Sequence, residues 1–307
     1  PRACYENELI FKETTVAKNI AVIGAGPAGL SFAIYAAGRG HHVTVFEASA
    51  QIGGQFNIAK TIPGKEEFYE TLRYFKRQIE LQPRIQLKLN CTATFDQLIS
   101  AEFDDIVVAT GVTPRQLDIP GIDHPKVLSY LEVLRERKPV GQRVAIIGAG
   151  GIGFDTAELL SHGTESGSVN PEKFYDEWGI DTNYENVGGL KTANVEQPER
   201  EIYLLQRKAA SVGSSLGKTT GWIHRTGLKH RNVKMIAGAS YEKIDDQGLH
   251  VIVNDQPAVL DVDNVIICAG QESYTAMFDE LKAAGKNVHL IGGAKEAGEL
   301  DAKRAIR

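Results

Sequence analysis

Residues 19–29 read NIAVIGAGPAG, and residues 143–153 read RVAIIGAGGIG. In each, an apolar run predicts a buried strand, a glycine cluster predicts a tight turn, and the residues beyond predict a helix. The glycine spacing has a mechanism. In Gly24-x-Gly26-x-x-Gly29 the first glycine permits the turn, the second lets backbone approach a pyrophosphate, and the third lets helix pack on strand. The phosphates then face unpaired N–H groups at the helix N-terminus. Expected contacts are Gly24, Gly26, Pro27, Ala28 and Gly29 in the first stretch, and Gly148, Gly150, Gly151, Ile152 and Gly153 in the second.

The strand after each turn separates the two sites. The strand HVTVFEA ends at Glu47 and Ala48, with Glu47 23 positions after Gly24. About 20 is the distance at which an acid meets a ribose hydroxyl. The equivalent strand EIYLLQR ends in Gln206, Arg207 and Lys208. An acid there would repel a 2′-phosphate, whereas an arginine grips one bidentately. The second site is therefore expected to take NADPH rather than NADH, with a plain solvated strand end as the alternative. The first, with Glu47 on a ribose, suits FAD. The stretch GGQFNIAK brings a second glycine turn, with Gly54, Gln55 and Phe56 expected near the isoalloxazine or diphosphate; an ordinary surface turn is the alternative.

The two stretches begin two copies of one unit. Each copy closes on a strand, FDDIVVATG ending at Thr110 and Gly111, and VDNVIICAG ending at Gly270. Gly24 to Gly111 spans 87 positions and Gly148 to Gly270 spans 122, so the second copy is longer by 35. A polar stretch at 162–200, rich in Gly, Asn and Glu, is long enough to hold the excess; such loops are functional or irregular. The last stretch, VHLIGGAKEAGELDAKRAI, reads as one more strand and helix returning to the first unit. The expected fold is α/β, with two Rossmann-like dinucleotide-binding domains, the second inserted in the first. The expected boundaries are 15–136 and 272–307 for the FAD-binding domain and 137–271 for the NADPH-binding domain.

Composition narrows the function further. The chain has 307 residues, 42% hydrophobic and 24% charged, which suits a large buried core. A net charge of −5 without a basic run speaks against nucleic acid. Cys4, Cys91 and Cys268 lie far apart, which excludes a CxxC redox pair, a disulfide framework and a cysteine metal site, and fits a reducing cytoplasm. Residues 20–38 carry no charge and approach membrane-spanning length, but the glycines and Pro27 in their first half favour strand, turn and helix, so no membrane partner is expected. A start at Pro1 and a helix-like end in ELDAKRAIR read as a piece of a longer polypeptide. His124 and His224 are the tempting bases among eight histidines, yet no Ser/His/Asp or metal spacing accompanies them. Hydride transfer between cofactors requires alignment rather than a protein nucleophile, so no catalytic acid or base and no metal ligand is expected.

Several long stretches carry a resemblance: PRAC, IGGQFNIAKTIPGKEEFYETLRYF, GIDHPKVLSYLEVLR, VAIIGAGGIGFDTA, LGKTTGWIHRT and VKMIAGASYEKIDDQGLHV. Across nearly its whole length the chain resembles the C-terminal half of bacterial NADPH-dependent 2,4-dienoyl-CoA reductases, flavoproteins of the trimethylamine dehydrogenase-like family. The resemblance implies an oxidoreductase whose N-terminal (β/α)8 barrel carries FMN and a 4Fe-4S cluster and binds the enoyl-CoA thioester. Electrons would pass from NADPH to FAD, the cluster, FMN and substrate, in the oxidation of unsaturated fatty acids. Cys4 then corresponds to a residue just past the last cluster ligand. The resemblance places FAD against Gly29, Glu47, Ala48, Gln55, Phe56, Gly293, Leu300, Asp301 and Ala302. It places NADPH against Arg207 and Lys208, with Lys218 and Trp222 either near it or merely a surface lysine and a packed aromatic. One departure stands out. Where the wider flavoprotein pattern has Gly-Asp, this chain has Gly292 and Gly293. Related amine dehydrogenases hold ADP in the first site, so a nucleotide-binding structural module stays open, as does a free-standing NADPH-dependent electron donor.

Overall fold

The computed structural model describes residues 5, 7–8, 10–163, 165–298 and 305–306. Along the chain come β1 (Asn19–Ile23), α1 (Pro27–Gly38), β2 (His42–Phe46), α2 (Phe56–Ala59), α3 (Phe68–Leu81), β3 (Ile85–Lys88), α4 (Phe95–Ser100), β4 (Asp105–Val108) and β5 (Val112–Pro114). The middle of the chain forms β6 (Val127–Ser129), α5 (Tyr130–Leu134), β7 (Arg143–Ile147), α6 (Gly151–Ser161), α7 (Pro171–Trp178), β8 (Glu201–Leu205), α8 (Gly221–His230), β9 (Lys234–Ile236), β10 (Ser240–Asp245), β11 (Gly248–Val253), β12 (Gln256–Leu260) and β13 (Asn264–Ile267). The chain returns through β14 (Gln271–Ser273), α9 (Phe278–Ala283) and β15 (Val288–Leu290).

Two compact units result. Unit 1 comprises Pro1–Asn57, Glu67–Thr113 and Gln271–Arg307; unit 2 comprises Ile58–Glu66 and Pro114–Gly270. Unit 1 is built on a parallel sheet ordered β15-β4-β1-β2-β3, and unit 2 on one ordered β6-β13-β7-β8-β9. The two orders correspond strand for strand except in origin of the outer strand. In unit 1 it comes from the C-terminal return, in unit 2 from just before the glycine turn. Central strands β4 and β7 bury nearly every residue, as parallel strands covered on both faces must. Unit 2 adds an antiparallel sheet, β10-β11-β12.

Local signals explain the helices. Pro27 sits in the first turn of α1, where its missing N–H costs nothing. In α3, Phe68, Leu72, Phe75 and Ile79 recur at helical spacing and pack on the unit 1 core. Capping boxes start α4 (Thr94 with Gln97) and α5 (Ser129 with Glu132). Lys138 and the Ser129 amide hold the Glu132 carboxyl down at about 2.

The observed units run differently from the boundaries expected at 136 and 137. Residues 114–136 lie with unit 2, because β6 pairs with β13 and Leu128, Tyr130, Val133 and Leu134 enter its core. Residues 58–66 also lie with unit 2, because Ile58 and Ile62 are buried in that same core. The uncharged stretch 20–38 is a strand, a turn and a 12-residue helix, and no helix among the described residues is long and apolar enough to cross a membrane. The 162–200 stretch is more ordered than a long loop: it holds α7, 3-10 turns at Gly167–Val169 and Val187–Gly189, and a bridge between Ile180 and Leu190.

Candidate functional site

In unit 1 the first glycine turn leaves β1 at Gly24, whose φ of +106° favours glycine. A Cβ there would lie 2.5 Å from the Ala109 carbonyl oxygen, and one on Gly29 would lie 2.0 Å from the Gly24 oxygen. Both glycines are sterically required. Gly26, between them, has no atom within 4 Å of where its Cβ would stand. That clear face, at the N-terminus of α1, is where a phosphate can meet backbone N–H groups.

Unit 2 repeats this geometry. Gly148 has φ +107°, its Cβ would lie 2.5 Å from the Cys268 oxygen, and a Cβ on Gly153 would lie 1.8 Å from the Gly148 oxygen. Gly150 and Gly151 face open space. The close contacts and the clear face thus occur at matching positions, a cradle that side chains would fill. Both turns fit a dinucleotide diphosphate, whose charge the helix N-termini stabilise.

The residues expected around the first turn converge on it. Glu47 accepts the Ala25 N–H at 2.8 Å, and its other oxygen accepts the Ser49 N–H at 2.8 Å and the Ser49 hydroxyl at 2.7 Å. An ionised carboxylate offers about four acceptor sites, so capacity for a ribose hydroxyl remains. Ala48 is exposed beside it. The second glycine turn docks here too: Gly53 donates its N–H to the Ala25 oxygen at 2.8 Å, and a Cβ on Gly54 would lie 3.1 Å from the Gly26 Cα. Gln55 is exposed, whereas Phe56 is buried and stacks on Phe68, its ring spent on the core. The return segment arrives as well. Gly292 has φ +56°, and a Cβ on it would lie 2.6 Å from the Ala28 Cβ; the Gly293 carbonyl accepts the Ser273 hydroxyl at 2.7 Å. Thr110 donates its hydroxyl to the Tyr274 carbonyl, and the Gly111 carbonyl accepts the Tyr274 N–H. Leu300, Asp301 and Ala302 lie outside the described residues.

In unit 2 the end of β8 adjoins the glycine turn, since the Gly148 N–H donates to the Leu205 carbonyl at 2.9 Å. Gln206 shapes the turn after β8 by donating its side-chain amide to the carbonyls of Lys208 and Ala210. Arg207 and Lys208 are exposed, and neither forms a salt bridge among the described residues. Arg207 also exerts its charge on Tyr241, whose hydroxyl burial pushes up to about 12. Trp222 is exposed on the first turn of α8, its indole N–H donated to the Thr219 carbonyl.

Sequence reasoning missed one buried cluster. Lys65 bonds both carboxylate oxygens of Asp155, at 2.6 and 2.7 Å. Burial raises the Asp155 carboxyl above its ordinary range, against the pull of the Lys65 charge. On the same helix, Glu158 meets His162 at 3.4 Å and His224 at 3.7 Å. Burial first, and then the nearby Arg231 charge, hold the His162 imidazole below its usual range. The available signal was a polar stripe: Asp155 and Glu158 in α6, and His162 just past its end, recur at i, i+3 and i+7. His124 lies apart from this cluster, against Asp246 at 3.2 Å. Among the described residues no group of His, Cys, Asp or Glu is arranged to hold a metal ion. Cys91 and Cys268 are free thiols, and complete burial pushes Cys268 up to about 12.

Comparison with known proteins agrees with this geometry. The pyridine nucleotide-disulphide oxidoreductase family matches residues 18–295, and the chain belongs to it. It is 31% identical over 295 residues to a metal reductase of Desulforamulus reducens, covering 94% of this chain and 43% of that protein. It is 26% identical to a cinnamate reductase of Clostridium sporogenes, covering 96% of this chain and 39% of that one. Among solved structures it is similar to a 2-naphthoyl-CoA reductase in complex with 2-naphthoyl-CoA, with a TM-score of 0.82 and 26% identity, over all of this chain and 41% of the other. A histamine dehydrogenase from Rhizobium shares the fold at 17% identity, with a TM-score of 0.74 over 97% of this chain and 44% of the other. The chain thus spans about two fifths of the length of these relatives. As a member of this family it is a flavoprotein oxidoreductase.

Proposed function

We propose that this family member binds FAD in unit 1 and NADPH in unit 2 and accepts electrons on behalf of a larger 2,4-dienoyl-CoA reductase. The nicotinamide supplies a hydride and the flavin accepts it, so the reacting bonds belong to the cofactors. The protein's own work is to bind and to choose. The first glycine turn and Glu47 hold one diphosphate and its ribose; the second turn holds the other diphosphate; Arg207 and Lys208 select the 2′-phosphate. The observation that carries this reading is the contrast at the ends of two equivalent strands. A carboxylate stands beside the first glycine turn, and two cations without a salt-bridge partner among the described residues come after the strand beside the second.

The downstream acceptor is an FMN and 4Fe-4S barrel of the same polypeptide, and enoyl-CoA is reduced there. The long flavoprotein relatives, one bound to an aryl-CoA thioester, support a further domain of this kind. A second reading, a structural module holding ADP in unit 1, is favoured by Gly293, which stands where an acid for the ribityl chain occurs in the wider pattern. Colour separates them. Purified protein that is yellow, and bleached anaerobically by NADPH faster than by NADH, supports the first reading. Colourless protein that releases ADP on denaturation supports the second.

A further inference from the structure

We propose that Tyr241, on β10 of unit 2, donates its hydroxyl to the 2′-phosphate that Arg207 grips, and so shares in choosing NADPH over NADH. The proposal rests on the NADPH reading of unit 2 given above and adds a second, uncharged donor to that site. Three observations carry it.

The first is how the backbone brings the two residues together. The parallel pairing of β8 with β9 ends at Leu205 and Ile236, but the two segments stay joined beyond it. Gln206 donates its N–H to the Ile236 carbonyl at 2.9 Å, and its own carbonyl accepts the Ala239 N–H at 3.0 Å. The Lys208 carbonyl accepts the Gly238 N–H at 3.1 Å. Arg207 is thus held between two residues that are each bonded to the segment leading into β10. Gly238 turns that segment with φ +69°, and a Cβ on it would lie 3.9 Å from the Ala209 Cα. Tyr241 follows Ala239 by two positions.

The second is that both side chains keep a polar group in reserve. The Tyr241 ring packs against the buried cluster that includes Leu205, Ala239 and Val251, which fixes it without engaging its oxygen. Its hydroxyl forms no hydrogen bond among the described residues, and Arg207 forms no salt bridge among them. The register of β10 against β11 shifts just past this point, between Tyr241 and Lys243. Irregularities of this kind re-aim side chains beside functional sites.

The third is protonation. Burial pushes the Tyr241 hydroxyl up to about 12, against the opposing pull of the Arg207 charge. At neutral pH the phenol therefore keeps the proton that a donor needs, and it lies within reach of the arginine's field.

A guanidinium and a neutral phenol side by side match one kind of ligand group. A phosphate monoester carries close to two negative charges and three acceptor oxygens. The guanidinium can take two of those oxygens in parallel, and the phenol O–H can take the third. A bare 2′-hydroxyl fills only one of these places and leaves the arginine without a counter-charge.

The test is calorimetric titration with 2′,5′-ADP and with 5′-AMP, which differ only in the 2′-phosphate. The unaltered chain should bind 2′,5′-ADP more tightly. In Tyr241→Phe the ratio of the two affinities should fall about tenfold, the loss of one hydrogen bond to a charged group, with the urea midpoint unmoved. Arg207→Ala should lower the same ratio further. A ratio unchanged in Tyr241→Phe but lowered in Arg207→Ala would overturn the role of Tyr241 alone. A parallel loss of both affinities in Tyr241→Phe would also overturn it, because the ring would then merely support the fold of the site. Equal affinity of the unaltered chain for both nucleotides would overturn the NADPH reading and this proposal with it.

Discussion

Lys65→Met should destabilise unit 2, and by an amount that depends on pH. Lys65 holds both oxygens of Asp155, whose side chain is 19% exposed against 30% for the lysine. Removing one partner of a buried pair costs about 3–5 kcal/mol, and the remaining exposure of both side chains brings the expected loss to about 2–3 kcal/mol at pH ~8. The sign comes from the carboxyl. Burial has raised the Asp155 pKa in the folded state, so its ionisation lowers stability as pH rises through that value. Lys65 limits the cost, and without it the folded-state pKa rises further. Without Lys65 the Asp155 carboxyl takes up its proton more readily, so the loss should be smaller at pH ~5 than at pH ~8. Urea unfolding followed by tryptophan fluorescence reads this directly, because Trp178 and Trp222 both belong to unit 2. The slope against urea should stay constant while the midpoint moves. K65M/D155N should recover most of the loss, since the uncompensated charge is gone. An equal loss at both pH values, or no recovery in the double variant, would refute the buried ion pair as the cause.

Other outcomes are expected at the nucleotide sites and the thiols. Arg207→Ala should raise the NADPH KM roughly 10- to 100-fold, the equivalent of one charged hydrogen bond, and leave NADH nearly unchanged in steady-state assays. Gly29→Ala should yield protein that loses its flavin on gel filtration or fails to fold, because the added methyl would stand 2.0 Å from a backbone oxygen. Glu47→Gln should weaken flavin retention about tenfold while preserving the fold, since the amide oxygen still accepts one of the backbone N–H groups. Cys268, with its thiol pushed up to about 12, should react with a thiol reagent only as fast as the protein unfolds, whereas Cys91 reacts in the native state.

Local chemistry made much of the fold legible. Both glycine turns, Glu47 at the end of β2 and the cations at the end of β8 lie within one supersecondary unit each, where spacing determines geometry. The return of 288–290 to unit 1 was also readable, since β15 repeats the strand pattern and pairs with β4. The features that remained hidden depend on long-range packing. Lys65 lies in a stretch flanked on both sides by unit 1 sequence, and only the burial of Ile58 and Ile62 explains why it meets Asp155. Phe56 lies in a motif expected to touch a cofactor, but its ring stacks on Phe68, a contact no spacing rule reports. The 162–200 stretch looked irregular because it is polar; α7 and the Asp181 turn are held by caps and by Arg231, which lies over thirty positions beyond Glu196.

Anaerobic titration of the purified, flavin-replete chain with NADPH and with NADH, followed by the visible flavin band, is the most direct measurement. One equivalent of NADPH should bleach the band within seconds, and NADH should act at least about tenfold more slowly at equal concentration. Equal rates with both nucleotides would remove the role assigned to Arg207 and Lys208. A chain that retains no flavin, even when FAD is supplied, would contradict the assignment of the two sites altogether.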